Sequence, residues 1–131
     1  MAPQKKRILV VDNETEITRL IKLRLESDGY DVDEAHSGEE AVNQVLTQKP
    51  DLVVLDVVMP GLSGYEVCAR IKDEISMSLP VIMLTSRIKM VDERIGFMCK
   101  ADAYIRKPQS TEQLLPEVER LLKNKEMLTS K

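Results

Sequence analysis

Short apolar runs and stretches of helical period alternate along the chain at a regular beat. The first run, Arg7–Val11, is rich in β-branched residues and ends in Asp12-Asn13-Glu14; it predicts a buried strand. Ile17, Leu20, Ile21 and Leu25 then fall at helical spacing, and Gly29 supplies the stop. Asp31–Ala35 is half polar and predicts a strand at a sheet edge. Ser37 and Glu40 form a capping box ahead of a helix carrying Ala41, Val42, Val45 and Leu46, which Lys49-Pro50 ends. Residues 51–56 read D-L-V-V-L-D, a fully buried strand with a carboxylate at its far end. After the loop at 59–64, a helix carries Val67, Cys68, Ile71 and Ile75. Val81–Thr85 is the next apolar strand, residues 88–99 the next helix, and Ala103–Arg106 a short strand ending at Lys107-Pro108. Leu114, Leu115, Val118, Leu121 and Leu122 mark the last helix, in which Pro116 removes one ladder hydrogen bond. A polar tail, residues 124–131, is expected to fray.

Five strands alternating with five helices predict an α/β fold, a doubly wound parallel sheet covered on both faces. The 131 residues read as one domain, with its core at about residues 7–123. Composition narrows the function. With 43% apolar and 31% charged residues the chain has the make-up of an ordinary globular domain. Its apolar runs are far too short to cross a bilayer, and no secretory signal is visible. A net charge of −3 and 3% aromatic residues argue against nucleic-acid binding. Cys68 and Cys99 read as core thiols of a reducing compartment, and a single histidine, His36, makes a zinc site improbable. His36 itself reads as a strand-end surface residue, distant along the chain from the acidic cluster.

In a doubly wound sheet, ligands bind outside the carboxyl ends of the strands. Asp12, Asn13 and Glu14 follow the first strand, Asp56 ends the third, Thr85 and Ser86 end the fourth, and Lys107 follows the fifth. One aspartate after a strand is commonly a turn or cap. Carboxylates, a hydroxyl and an ammonium converging from four strands on one rim are a different matter. Neighbouring carboxylates repel, and a hard divalent cation relieves that repulsion with oxygen ligands. Lys107 adds a point positive charge suited to a phosphoryl group. The set suits a carboxylate that accepts a phosphoryl group, its charge neutralised by metal and lysine.

These residues lie in the segments I-L-V-V-D-N-E at 8–14, P-D-L-V-V-L-D-V-V-M-P-G-L-S-G at 50–64, P-V-I-M-L-T-S at 80–86 and A-D-A-Y-I-R-K-P at 101–108. Together they resemble the receiver domains of bacterial response regulators, over roughly residues 7–123. The resemblance implies strand order 2-1-3-4-5 and a signalling switch rather than an enzyme. It implies that Asp56 is phosphorylated, and that Asp12, Asn13, Asp56 and the Val58 carbonyl hold Mg²⁺. It implies that Thr85 is the switch hydroxyl, Lys107 the phosphate-pairing lysine and Tyr104 the aromatic that turns inward when the hydroxyl moves. The implied partners are a sensor histidine kinase or phosphotransfer protein and an unidentified downstream protein, with no direct DNA or membrane binding. A cytoplasmic monomer or weak dimer is expected, either a stand-alone receiver or one excised from a longer protein.

The sequence departs from that pattern at Asn13, where a second acid is usual; the site loses one charge, and weaker Mg²⁺ binding is expected. Lys100 stands in place of a glycine, Ala103 in place of an acid, and Gln109 in place of a large apolar residue. A pseudo-receiver that binds partners without phosphate draws on Asn13 alone. An FMN site is opposed by the acidic loop after the first strand, and an aspartate-based phosphatase by Val58, where a second acid would be needed.

Overall fold

The protein is described by a computed structural model over residues 5–57, 59–85, 100–106 and 110–129. Five strands, β1 (Arg7–Val11), β2 (Asp31–Ala35), β3 (Leu52–Asp56), β4 (Val81–Thr85) and β5 (Ala103–Arg106), form one sheet in the order β2-β1-β3-β4-β5. All four pairings are parallel. The helices are α1 (Thr15–Ser27), α2 (Gly38–Gln48), α3 (Gly64–Arg70) and α4 (Ser110–Thr129). The helix expected over 88–99 lies outside the described residues.

Alternation along the strands divides the core between the two sheet faces. Leu9, Val11, Val53, Leu55, Val81 and Met83 pack with Ala41 and Val45 of α2 and Val67 and Cys68 of α3. Ile8, Val10, Val54, Ile82, Leu84 and Ile105 pack with Ile21 and Leu25 of α1 and Leu114 and Val118 of α4. Because both faces are covered, β1, β3 and β4 read as unbroken apolar runs, whereas the edge strand β2 keeps its polar positions. Among the described residues no helix is long and apolar enough to cross a membrane.

The helix ends follow the local chemistry. Gly29 takes φ 98° after α1, and Lys49 ends α2 at φ 49°. Lys100, standing where glycine is usual, adopts φ 62°, a left-handed conformation that costs a side-chain-bearing residue about 1 kcal/mol. The Ser37 hydroxyl accepts from Glu40 N at 3.1 Å, as the capping box requires. The reciprocal arm shifts by one residue, since Glu40 Oε2 accepts from His36 N.

Two differences from the sequence expectation stand out. Helix α4 runs through 124–129, the segment expected to fray, because Lys, Glu, Met and Leu there are all strong helix formers. The helix at 64–75 also does not stay α-helical: after Arg70 it widens into a π-helical turn, Ile71–Ile75, closed by Ser76 N donating to Ile71 O at 2.7 Å. That turn carries Lys72, whose side chain is only 3% exposed. Its ammonium donates to Met77 O, Leu79 O and Asp102 Oδ2 at 3.2, 2.7 and 2.7 Å. Asp102 Oδ2 also accepts from Val81 N, so one lysine ties the π turn to the starts of β4 and β5.

Candidate functional site

The carboxyl ends of β1, β3, β4 and β5 meet on one rim. The β1–β3 register pairs Val11 with Leu55, which sets Asp12 level with Asp56 on the adjacent strand. Neighbouring strands lie about 4.8 Å apart. Both carboxylate residues are buried, Asp12 at 0% and Asp56 at 5% exposure. On its other side Asp56 pairs with Leu84, and Val57 N donates to Leu84 O at 2.9 Å.

Asp12 is held where the chain enters α1. Its Oδ1 accepts from Glu14 N at 2.9 Å, an Asx turn that ties the carboxyl group to the start of α1. Asn13 and Glu14 are exposed, and Glu14 occupies the N-cap position of α1 without a side-chain capping bond. Asp56 is held by the loop that follows it. Met59 is buried in the core, Ser63 caps α3 by accepting from Glu66 N, and Gly64 N donates to Val57 O at 2.9 Å. This closure brings Gly64 against the backbone of Asp56. A β-carbon there would strike the Asp56 carbonyl oxygen and lie 2.8 Å from Val57 Cα. Gly38, at the start of α2, receives Leu62 of the same loop, whose Cβ would lie 2.6 Å from a β-carbon there.

Thr85 ends β4 one residue beyond the partner of Asp56. It pairs in register with Arg106, which directly precedes Lys107. Tyr104 pairs with Met83 and is 39% exposed. Val58 and Lys107 lie outside the described residues. The backbone therefore draws Asp12, Asp56 and Thr85 to one rim, with Asn13 beside them on the loop and Tyr104 further back on β5.

Sequence reasoning missed two residues. Gly64 was visible only as part of a motif; its need comes from a contact with Asp56. His36 was set aside as remote, yet its Nδ1 donates to the Asp12 carbonyl at 3.2 Å. The signal was the strand order: once β2 lies beside β1, the residue after Ala35 falls next to the residue after Val11.

Two buried acids level with each other on adjacent strands offer hard oxygen donors of the kind Mg²⁺ takes, and Asn13 follows Asp12 on the loop. Among the described residues no group of three or more His, Cys, Asp or Glu is gathered that could hold a metal.

Comparison with known proteins agrees with this geometry. The family model of the response regulator receiver domain matches residues 8–119. The alkaline phosphatase synthesis transcriptional regulatory protein PhoP of Bacillus subtilis is 41% identical over 122 residues, 93% of this chain; the chain spans half of that relative's length. The CheY-like receiver domain protein of Methanospirillum hungatei superimposes with a TM-score of 0.88 at 28% identity, covering 95% of this chain and 98% of its own. The response regulator TrrA of Thermotoga maritima, solved with Mg²⁺ and beryllofluoride, gives a TM-score of 0.81 at 37% identity, covering 88% and 98%.

Proposed function

The chain belongs to the response regulator receiver domains, and from that premise we propose that it is the phosphoacceptor switch of a two-component relay, with Asp56 as the acceptor. The observation that carries the proposal is the buried pair Asp12 and Asp56, level with each other on adjacent strands at the rim where such sheets bind ligands.

An Asp56 carboxylate oxygen attacks the phosphorus of a phosphohistidine donor. The P–O bond forms as the P–N bond breaks, and the imidazole leaves with the electron pair. Asp12, Asp56, the Asn13 amide oxygen and the Val58 carbonyl would hold Mg²⁺, which when bound neutralises charge on the phosphoryl oxygens. Thr85 offers a hydroxyl and Lys107 an ammonium to the new phosphoryl group. The Asx turn at Asp12 and the Gly64 closure at Asp56 fix both acids before the donor arrives. Support for the metal comes from TrrA, a relative of the same fold whose complex contains Mg²⁺ and beryllofluoride.

The donor is a histidine kinase or phosphotransfer protein, and the output passes to a downstream protein by docking, in the cytoplasm, from a monomer or weak dimer. Only the receiver role is carried over from PhoP, because this chain spans half of that protein. No direct contact with DNA or membrane is part of the proposal.

Treatment with acetyl phosphate and Mg²⁺, followed by intact mass measurement, tests the acceptor. We expect one phosphoryl adduct in the wild type and none in Asp56→Asn. An adduct kept at full yield in the variant contradicts the assignment.

A further inference from the structure

We infer that His36 is a positioning residue for the metal-binding loop, acting through the Asp12 backbone; the inference rests on the proposed role of Asp12 in holding Mg²⁺. The β1–β2 ladder continues one rung past the paired strands, with Asp12 N donating to Ala35 O at 3.1 Å. In a parallel ladder the next rung would be Ser37 N donating to the Asp12 carbonyl. The chain leaves the sheet there: Ser37 becomes the N-cap of α2, and His36 N turns to Glu40 Oε2 at 3.1 Å. The imidazole takes over the bond, His36 Nδ1 standing 3.2 Å from the Asp12 oxygen. A carbonyl only accepts, so the hydrogen resides on Nδ1.

The consequence falls on the peptide between Asp12 and Asn13. That carbonyl belongs to the peptide unit joining the two residues, so holding its oxygen sets the plane from which Asn13 leaves the strand. Asp12 is then fixed at three points: its N–H on Ala35, its Oδ1 under Glu14 N and its carbonyl under His36. The far end of the support is also anchored. Glu40 Oε1 and the Glu34 carbonyl both accept from Gln44 Nε2, at 3.3 and 2.8 Å, so His36 sits on a bonded corner of α2 and β2. A site that carries an amide instead of a second acid depends more on aim, because less charge is available to draw the metal in. Partners that orient metal ligands from behind act in this way.

The test is a Mg²⁺ titration followed by amide spectra in wild type, His36→Ala, His36→Asn and Asp12→Ala, with each unfolding midpoint taken in EDTA. We expect His36→Ala to bind Mg²⁺ about tenfold more weakly, the scale typical of lost outer partners. His36→Asn, whose side-chain N–H can reach the same carbonyl, should regain most of that affinity. Equal affinity in wild type and His36→Ala overturns the inference. So does a loss that asparagine fails to restore, or one matched by an equally depressed midpoint in EDTA, which marks a loosened fold. If wild type and Asp12→Ala bind Mg²⁺ alike, the metal reading of the rim itself fails and the inference falls with it.

Discussion

Gly64 and Asn13 show how single residues set what the rim can do. Gly64 lets the loop after β3 close on the Asp56 backbone, a closure no side chain permits. We expect Gly64→Ala to cost about 1–3 kcal/mol, the range of overpacked sites, and to lower phosphoryl adduct yield by displacing Asp56. Urea unfolding and intact mass on the same sample check both. Asn13 leaves the proposed Mg²⁺ site with an amide in place of a second loop carboxylate. Asn13→Asp adds a unit charge beside a divalent cation, worth about 2 kcal/mol at a separation of about 4 Å even in water-like surroundings, so Mg²⁺ should bind roughly thirtyfold more tightly. Unchanged or weaker binding on titration contradicts the charge argument. That Asp12 and Asp56 share one rim was legible from sequence because polar residues follow four predicted strands at once, whereas a single aspartate after a strand is commonly a turn or cap. His36 was not, since its partner is a backbone carbonyl on another strand, and backbone groups leave no trace in residue identity.

At the scale of elements, the strands and the ends of α1 and α2 followed from local signals: apolar runs, the Ser37 cap, Gly29 and Lys49-Pro50. The π turn after Arg70 did not. Cys68, Ile71 and Ile75 keep an ordinary helical period, and Lys72 reads as a solvated charge until Asp102, 30 residues further on, is known to face it. The magnitudes separate this pair from its neighbour. Lys100 and Asp73, 3.4 Å apart, are both about half exposed, and such pairs contribute less than about 1 kcal/mol. Lys72 is buried under two carbonyls and a carboxylate, so Lys72→Met removes the ammonium from both carbonyls and leaves Asp102 with its bond from Val81 N. We expect a loss of about 2–3 kcal/mol in urea unfolding for Lys72→Met, against under about 1 for Lys100→Ala. Similar small losses in both would mean that the π turn does not depend on the lysine.

For the whole molecule, the strand order β2-β1-β3-β4-β5 sets the proposed acceptor and the proposed switch residues on three successive strands. Asp56 lies on the central strand, while Thr85 and Tyr104 lie on β4 and β5 toward the far edge. That order was implied by the family resemblance and not by periodicity, because hydrophobic pattern identifies strands without saying which neighbours they choose. Tyr104 stands partly exposed on β5, and in the proposed switch a phosphoryl group that draws Thr85 toward Asp56 would open space for it. In the proposed switch, charge-assisted bonds from Thr85 and Lys107 to the phosphoryl group would supply the few kcal/mol that such a population shift requires. Amide spectra with and without beryllofluoride, a phosphoryl mimic, in wild type and Thr85→Ala test this most directly. The switch predicts shifts spreading through residues 88–106 in the wild type and much reduced in the variant. Beryllofluoride that binds but shifts only residues around Asp56 would contradict it.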